Sequence, residues 1–279
     1  MPRVSVVGVS GLDIKNAKVQ RLRRLLADRS ERHATGMFVI EGPVSAAEAV
    51  RAGIVCRSQF APEGSGAWVD GAGQRVELGA GVLERVGSTK RPQAPLTIAE
   101  IPGHDVHTVL AGASFTVVLD GLSDPGNLGT IMRSAEAAGA DAIVLTPGSV
   151  DPYNPKVVRA SAGAIFHVPV VEATLEAVAD AGLRLAGTSS HEFPGRTVVD
   201  HTVADLTGRL ALVMGNEAVG LPDKWNDEVG PVDVWLTIRH RGRSESLNVA
   251  MAATVLAFEA ARQRSAVDQS ATDGSLDPA

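Results

Sequence analysis

Phe115-Thr-Val-Val-Leu-Asp120-Gly-Leu-Ser-Asp-Pro-Gly-Asn127-Leu-Gly-Thr-Ile-Met-Arg133-Ser-Ala-Glu-Ala-Ala138-Gly139 is the stretch that decides the fold. An apolar run opens it, a loop rich in glycine and small polar residues follows, and a helix-like segment ends at Gly139. A second apolar run, Ala142-Ile-Val-Leu145, comes next, then Asn154-Pro-Lys-Val-Val-Arg159-Ala-Ser161-Ala-Gly163, reaching Val170. Strand, glycine-bearing loop, helix, strand is the pattern of an α/β unit with its working loop at the C-terminal end of the strand. The spacing predicts a helix over Thr130–Ala138, capped by Asn127 or Thr130 and stopped by Gly139. Ile131, Ala135 and Ala138 then share one face and leave Arg133 pointing elsewhere.

Downstream, three apolar runs repeat the strand-then-loop pattern. Leu183–Gly187 leads into Thr188-Ser-Ser-His191, and Arg209–Met214 into Gly215-Asn-Glu217-Ala-Val-Gly220-Leu-Pro222. Val234–Ile238 runs into Arg239-His-Arg-Gly-Arg243-Ser-Glu-Ser246-Leu-Asn248. The last helix is expected from about Ser246 to Arg264, with Leu247, Met251, Val255 and Phe258 on one stripe. The polar residues 265–279 read as a disordered tail.

Upstream of the central stretch, Lys15 to His33 holds Lys15, Lys18, Arg21, Arg23, Arg24, Arg29 and Arg32 against Asp28 and Glu31. Val19, Leu22, Leu25 and Leu26 recur at helical spacing, which predicts one amphipathic helix with a cationic outer face. That face is either an ordinary solvated surface or a phosphate-contacting one. Gly36–Val44 reads as a strand leaving a turn, Ser45–Ala52 as a helix, Ile54–Cys56 as a strand and Val82–Val86 as a short helix. Residues 62–75 and the segment Ile101–Gly112 read as loop and linker. The short apolar run Val4–Val9 has no settled status. Residues 1–105 form a small α/β module with no nucleophile, metal set or phosphate loop, so binding rather than chemistry is assigned to it.

Composition narrows the class further. The chain has 279 residues, 44% of them hydrophobic and only 4% aromatic, so its core must be built from Val, Leu, Ile and Ala. A net charge of −6 means that any RNA contact must rest on locally gathered cations. The single cysteine, Cys56, excludes an internal disulfide and a multi-cysteine metal site. His104 and His107 lack a third ligand nearby, so no metal is expected. No apolar run approaches the ~18 residues of a membrane span, and the expectation is a cytoplasmic protein with no membrane association.

With the three loops in view, the chain resembles the SpoU/TrmH family of RNA ribose 2′-O-methyltransferases, within the SPOUT superfamily. Asn127-Leu-Gly-Thr-Ile-Met-Arg133-Ser-Ala, Val213-Met-Gly215-Asn-Glu217-Ala-Val-Gly220, and Ile238 with Ser246-Leu-Asn248-Val-Ala match its motifs in order. Phe38-Val-Ile-Glu41-Gly42 is similar to a strand of the ribosomal-protein-like substrate-binding domain often attached to it. The resemblance covers about residues 112–264. It implies an α/β methyltransferase domain closed by a trefoil knot, behind an RNA-binding domain at 1–105, in an obligate homodimer with composite active sites.

It implies S-adenosyl-L-methionine as cofactor, cradled by Gly215, Ile238, Ser246 and Leu247. It assigns proton transfer from the ribose to Arg133, with Asn127 and Asn248 orienting the arginine or the ribose and Glu217 aiming a basic group. A guanidinium is normally a locked, donor-only cation, so the assignment widens to holding the adjacent phosphate and ribose. Helix capping is the structural alternative for both asparagines. Lys18, Arg21, Arg24, Arg159, Arg241 and Arg243 are the candidate RNA contacts. Arg239-His-Arg241-Gly-Arg243 stands where many relatives carry an apolar or small run. Pointing inward, those cations would weaken cofactor binding; an RNA backbone contact explains them better. Ribosomal RNA is the expected substrate; the alternatives are tRNA, and a non-catalytic RNA-binding assembly factor that kept the fold.

Overall fold

The computed structural model describes residues 11–189, 197–221, 230–243 and 246–273. Val4–Val9, the loop end at His191, Pro222 and residues 274–279 lie outside the described residues. The elements in order are α1 (Ala17–Ala27), α2 (Arg29–Thr35), β1 (Met37–Glu41), α3 (Pro43–Arg51), β2 (Cys56–Pro62), β3 (Gln74–Leu78), α4 (Val82–Val86) and β4 (Leu96–Glu100). They continue with α5 (Val106–Gly112), β5 (Phe115–Leu119), α6 (Pro125–Ala137), β6 (Ala142–Leu145), α7 (Pro155–Ala160) and β7 (Val170–Glu172). The remainder are α8 (Leu175–Asp180), β8 (Arg184–Thr188), β9 (Val198–Asp200), β10 (Leu210–Met214), β11 (Val234–Thr237) and α9 (Val249–Asp273).

The chain forms two compact units, one of residues 1–102 with Tyr153–Arg159, the other of 103–152 with 160–279. The sequence reading had the central stretch continuous within one domain. Instead Tyr153 tilts its ring onto Phe38 at 5.0 Å, and Arg159 Nη1 donates to Glu41 Oε2 at 3.1 Å and to Ser88 Oγ at 2.6 Å. These contacts are what enrol 153–159 in the first unit.

That first unit carries a four-stranded sheet in the order β1-β4-β2-β3, mixed in direction. Val19, Leu22 and Leu25 of α1 are fully buried in its core. The expected single basic helix is two, because Asp28 ends α1 with extended backbone and caps α2 by accepting from Ser30 N at 2.8 Å. Arg32 does not face solvent as the cationic-face reading had it; it is 2% exposed and donates to the Leu25 carbonyl, which α1's end leaves unpaired within the helix.

The second unit is built on a seven-stranded parallel sheet, β7-β6-β5-β10-β8-β11-β9. Central strands β5 and β10 are buried at every position, as parallel strands covered on both faces require. Fully burying each Val or Leu there is worth about 1.5–3 kcal/mol. The segment read as a linker contains helix α5, capped by Asp105 accepting from Thr108 N at 2.8 Å and held at its other end by Arg209, whose guanidinium donates to the carbonyls of Leu110, Ala111 and Ala113. The tail expectation fails for residues 265–273, because α9 runs on to Asp273. The three motif loops follow the C-terminal ends of β5, β10 and β11, as the strand-and-loop reading has them.

Candidate active site

Helix α6 begins earlier than expected. Asp124, not Asn127 or Thr130, is its cap, accepting from Asn127 N at 2.8 Å with Pro125 at the first helical position. Asn127 therefore sits inside the first turn, with its side chain free for other partners. Gly129 is required by packing: a Cβ there would lie 2.4 Å from the Ala160 Cβ. Ser161, fully buried, and Gly163, at φ +99°, follow in that same neighbourhood.

The second loop folds back on itself through paired backbone hydrogen bonds between Asn216 and Gly220. Gly215 has no room for a side chain, since a Cβ would meet Gly220 C at 2.2 Å and Leu221 N at 2.3 Å. Asn216 anchors the loop by donating to the Gly121 carbonyl at 2.8 Å while its own oxygen accepts from Ala218 N.

Glu217 was expected to aim a basic group. Among the described residues it pairs with no arginine or lysine. Its carboxylate instead accepts from Ser123 N and Oγ (3.2 and 2.9 Å), Asp124 N (2.9 Å), Asn127 Nδ2 (3.2 Å) and Asn216 Nδ2 (3.4 Å). Partial burial pushes its pKa up, but the donors from Asp124, Asn127 and Ser123 outweigh that and hold it at about 2. Asn127 passes the connection on, because its Oδ1 accepts from Asn248 Nδ2 at 3.1 Å. Asn248 in turn caps α9, its Oδ1 accepting from Ala250 N at 2.9 Å. The capping alternative thus holds for Asn248 and fails for Asn127.

Beside this chain of amides lies a cavity of about 270 Å³. Gly215, Ile238, Ser246 and Leu247, the residues singled out as a cradle, all line it, with Thr188 and Ser189 contributing hydroxyls. Glu217 also reaches it, whereas Asn127, Asn248 and Arg133 are not among its lining residues. Arg133 is exposed on α6 and has no hydrogen bond or ion pair among the described residues. Of the basic third loop, Arg239 pairs with Asp200 at 3.0 Å, Arg241 and Arg243 are exposed, and His240 lines the cavity. His240 is thus the one residue of Arg239–Arg243 that borders the cavity.

Of the candidate RNA contacts in the first unit, Lys18 and Arg21 are exposed, and Arg24 is exposed but shared with Glu31 at 3.2 Å. Arg159 is committed to Glu41, a carboxylate only 7% exposed, rather than free for phosphate. No group of metal-ligating side chains occurs among the described residues. Sequence reasoning missed Ser123, Asp124 and Asn216. The Asp124-Pro125 pair was a legible helix-start signal; the other two act through contacts that no local pattern announces.

The model of the SpoU rRNA Methylase family matches residues 114–258. The chain belongs to the SpoU rRNA methylase family. The 23S rRNA (guanosine(2553)-2′-O)-methyltransferase RlmP of Bacillus subtilis is 30% identical over 249 residues, 88% of this chain and 97% of the relative. The 23S rRNA (uridine(2479)-2′-O)-methyltransferase of Streptomyces viridochromogenes is 29% identical over 267 residues, 90% of this chain and 91% of that one. The AdoMet-bound rRNA methyltransferase of Sinorhizobium meliloti superposes with a TM-score of 0.77 at 30% identity, covering 91% of this chain and 97% of its own. As a SpoU family member, the chain therefore has its three matched motifs in the one unit that holds the cavity and the amide chain.

Proposed function

We propose that this SpoU protein is an S-adenosyl-L-methionine-dependent methyltransferase acting on a ribose 2′-hydroxyl of ribosomal RNA. The observation that carries the reading is a cavity lined by the second and third motif loops, to which the first motif is joined by the Glu217–Asn127–Asn248 chain of hydrogen bonds. Full-length similarity to two enzymes named for 23S rRNA ribose methylation supports the substrate class.

The residues present fit the cofactor. Gly215 leaves the second loop's backbone bare where a Cβ would collide, Ile238 and Leu247 give an apolar wall, and Ser246 gives a hydroxyl. The cofactor supplies a methyl group carried on a sulfonium. Arg133, a fixed cation with donors only, holds the phosphate and ribose that present the 2′-hydroxyl, and the proton leaves to that phosphate or to water. Glu217 fixes the first loop against the second without touching a proton, since a carboxylate held at about 2 is a poor base at neutral pH.

Arg133 serves the cavity of a second copy in a homodimer. Support comes from the face of α9 carrying Met251 (64% exposed), Val255 (39%) and Phe258 (48%), an apolar stripe left open to solvent. Ser134, next to Arg133 in sequence, meets Thr254, next to Val255, at 2.6 Å, which brings α6 and α9 together at the positions beside the arginine and the stripe. The chain end is threaded as a trefoil knot; support is the insertion of β10 between β5 and β8, which sets the second loop between the first and third. The first unit acts as the RNA-holding domain, with Lys18 and Arg21 exposed to meet phosphate. The protein works in the cytoplasm; no described helix is long and apolar enough to cross a membrane.

The test is transfer of labelled methyl to total RNA from a host lacking this gene, with the RNA then separated by size. Label in large ribosomal RNA is expected. Label confined to tRNA would overturn the substrate, and no label with no cofactor binding would overturn the enzyme.

A further inference from the structure

A second recess lies in the first unit, about 440 Å³ in volume, between the start of α1 and strand β3. Trp68, Lys18, Gln74, Arg75 and Glu77 line it. Trp68 stands on a loop of glycine, serine and alanine that the sequence marks as irregular. A loop of that composition would ordinarily be loose, yet this one is built. Gln59, a polar side chain only 1% exposed, grips the residue after the tryptophan from both sides: its Nε2 donates to Val69 O at 2.9 Å and its Oε1 accepts from Val69 N at 2.9 Å. The same Nε2 reaches Gly73 O at 3.3 Å, and Trp68 N closes a tight turn onto Gly66 O at 2.8 Å. Gly73, at φ +82° with a hypothetical Cβ 2.4 Å from Arg57 C, lets the loop return against β2. A buried amide committed to the backbone beside a partly exposed indole fixes the main chain that carries the ring.

The chemistry around the ring is that of a nucleobase site. The Arg75 guanidinium lies 5.9 Å from the Trp68 ring centroid and is steadied by Asp70 at 2.9 Å. Lys18 Nζ is 3.5 Å from Gln74 Oε1, so one cation stands at the rim on the exposed face of α1, beside Arg21. Glu77 makes the interior unsuited to a phosphate and suited to amine and imino donors on a base edge. From this arrangement we infer that Trp68 is a stacking platform for one unpaired base of the RNA, with Gln74 and Glu77 facing its edge and Lys18 its phosphate. Paired A-form RNA keeps its bases stacked inside the helix, so the recess selects a loop, bulge or flipped nucleotide. The inference rests on the reading of the protein as RNA-directed and adds how the first unit chooses its target.

The experiment is equilibrium binding of the full chain to a stem–loop RNA and to a fully paired RNA of equal length, at several salt concentrations. Wild type is expected to prefer the stem–loop. Trp68→Ala and Trp68→Leu are expected to lose affinity for the stem–loop on the order of tenfold, while Trp68→Phe keeps most of it. Affinity for the duplex and the salt dependence stay unchanged, because stacking displaces no counterions. Absence of stem–loop preference in wild type, retention by Trp68→Leu, or an equal loss on the duplex would each overturn the inference. The Phe and Leu variants decide the matter if the Ala variant fails to fold. Methyl transfer by wild type, measured in parallel, separates this outcome from failure of the enzymatic reading, which would leave the binding comparison intact.

Discussion

Asn248 Nδ2 donates to Asn127 Oδ1 at 3.1 Å, joining two residues 121 positions apart and tying the cap of α9 to the first turn of α6. Because Asn127 simultaneously donates to Glu217, this one bond completes a connection through all three motif loops. An amide is suited to the middle position, as it donates and accepts at once.

Replacing Asn127 by Ala is expected to lower the stability of the second unit by about 1 kcal/mol, at the modest end because these groups are reached by solvent. In a double-mutant cycle with Asn248→Ala, urea unfolding should reveal a coupling of about 0.5 kcal/mol or more. Strict additivity of the two changes would show that the bond carries no energy.

Glu217 sets a pH dependence whose sign is fixed by its depressed pKa. Its folded value is about 2 against an ordinary 4.5, so its contribution is whole above 4.5 and disappears as pH falls toward 2. The gap in thermal stability between wild type and Glu217→Gln should be constant at neutral pH and close on acidification through that window. A gap that widens with acid would reverse the assignment.

Gly215→Ala forces the second loop open, since the new carbon would sit 2.2 Å from Gly220 C. Overpacking of this kind costs about 1–3 kcal/mol, and here it falls on the cavity proposed to hold the cofactor. Titration calorimetry should show S-adenosyl-L-methionine binding weakened by roughly tenfold or more, by the same estimate. Unchanged affinity would place the cofactor elsewhere.

Phe258→Glu puts a charge on the open stripe of α9, where Phe258 is 48% exposed. Sedimentation of the wild type should give a dimer and of the variant a monomer, with methyl transfer lost along with the partner. A monomeric, active wild type would remove the composite site from the account.

The strands that carry the site were legible because a parallel strand buried on both faces is an unbroken apolar run, as in Phe115–Leu119 and Leu210–Met214. Short or punctuated elements were not. Leu96–Glu100 follows Pro92 and Pro95 and reads as an exit from a helix, yet it is a central strand of the first sheet. Val198–Asp200 is only three residues long. In α9 the stripe Met251-Val255-Phe258 is visible in the sequence but its direction is not. The opposite face, Ala250, Ala253, Leu256, Ala257 and Ala260, is apolar too, and it is the face that packs inward. Within the site, the cradle of Gly215, Ile238, Ser246 and Leu247 came from the motif resemblance. Most partners of Glu217 did not, because the backbone amides of Ser123 and Asp124 and the Ser123 hydroxyl lie 93 or 94 residues away. Hydrogen bonds to the main chain leave no trace in residue type.

The most direct test of the central claim is the identity of the methylated nucleoside in ribosomal RNA treated with wild type and with Arg133→Ala, alongside the cofactor affinity of each. The account predicts a 2′-O-methylated ribose with wild type. For the variant it predicts a loss of at least about a hundredfold in transfer, the scale of a lost positioned group, with S-adenosyl-L-methionine bound as before. A methyl group on a base, or a variant that still transfers at the wild-type rate, would contradict it.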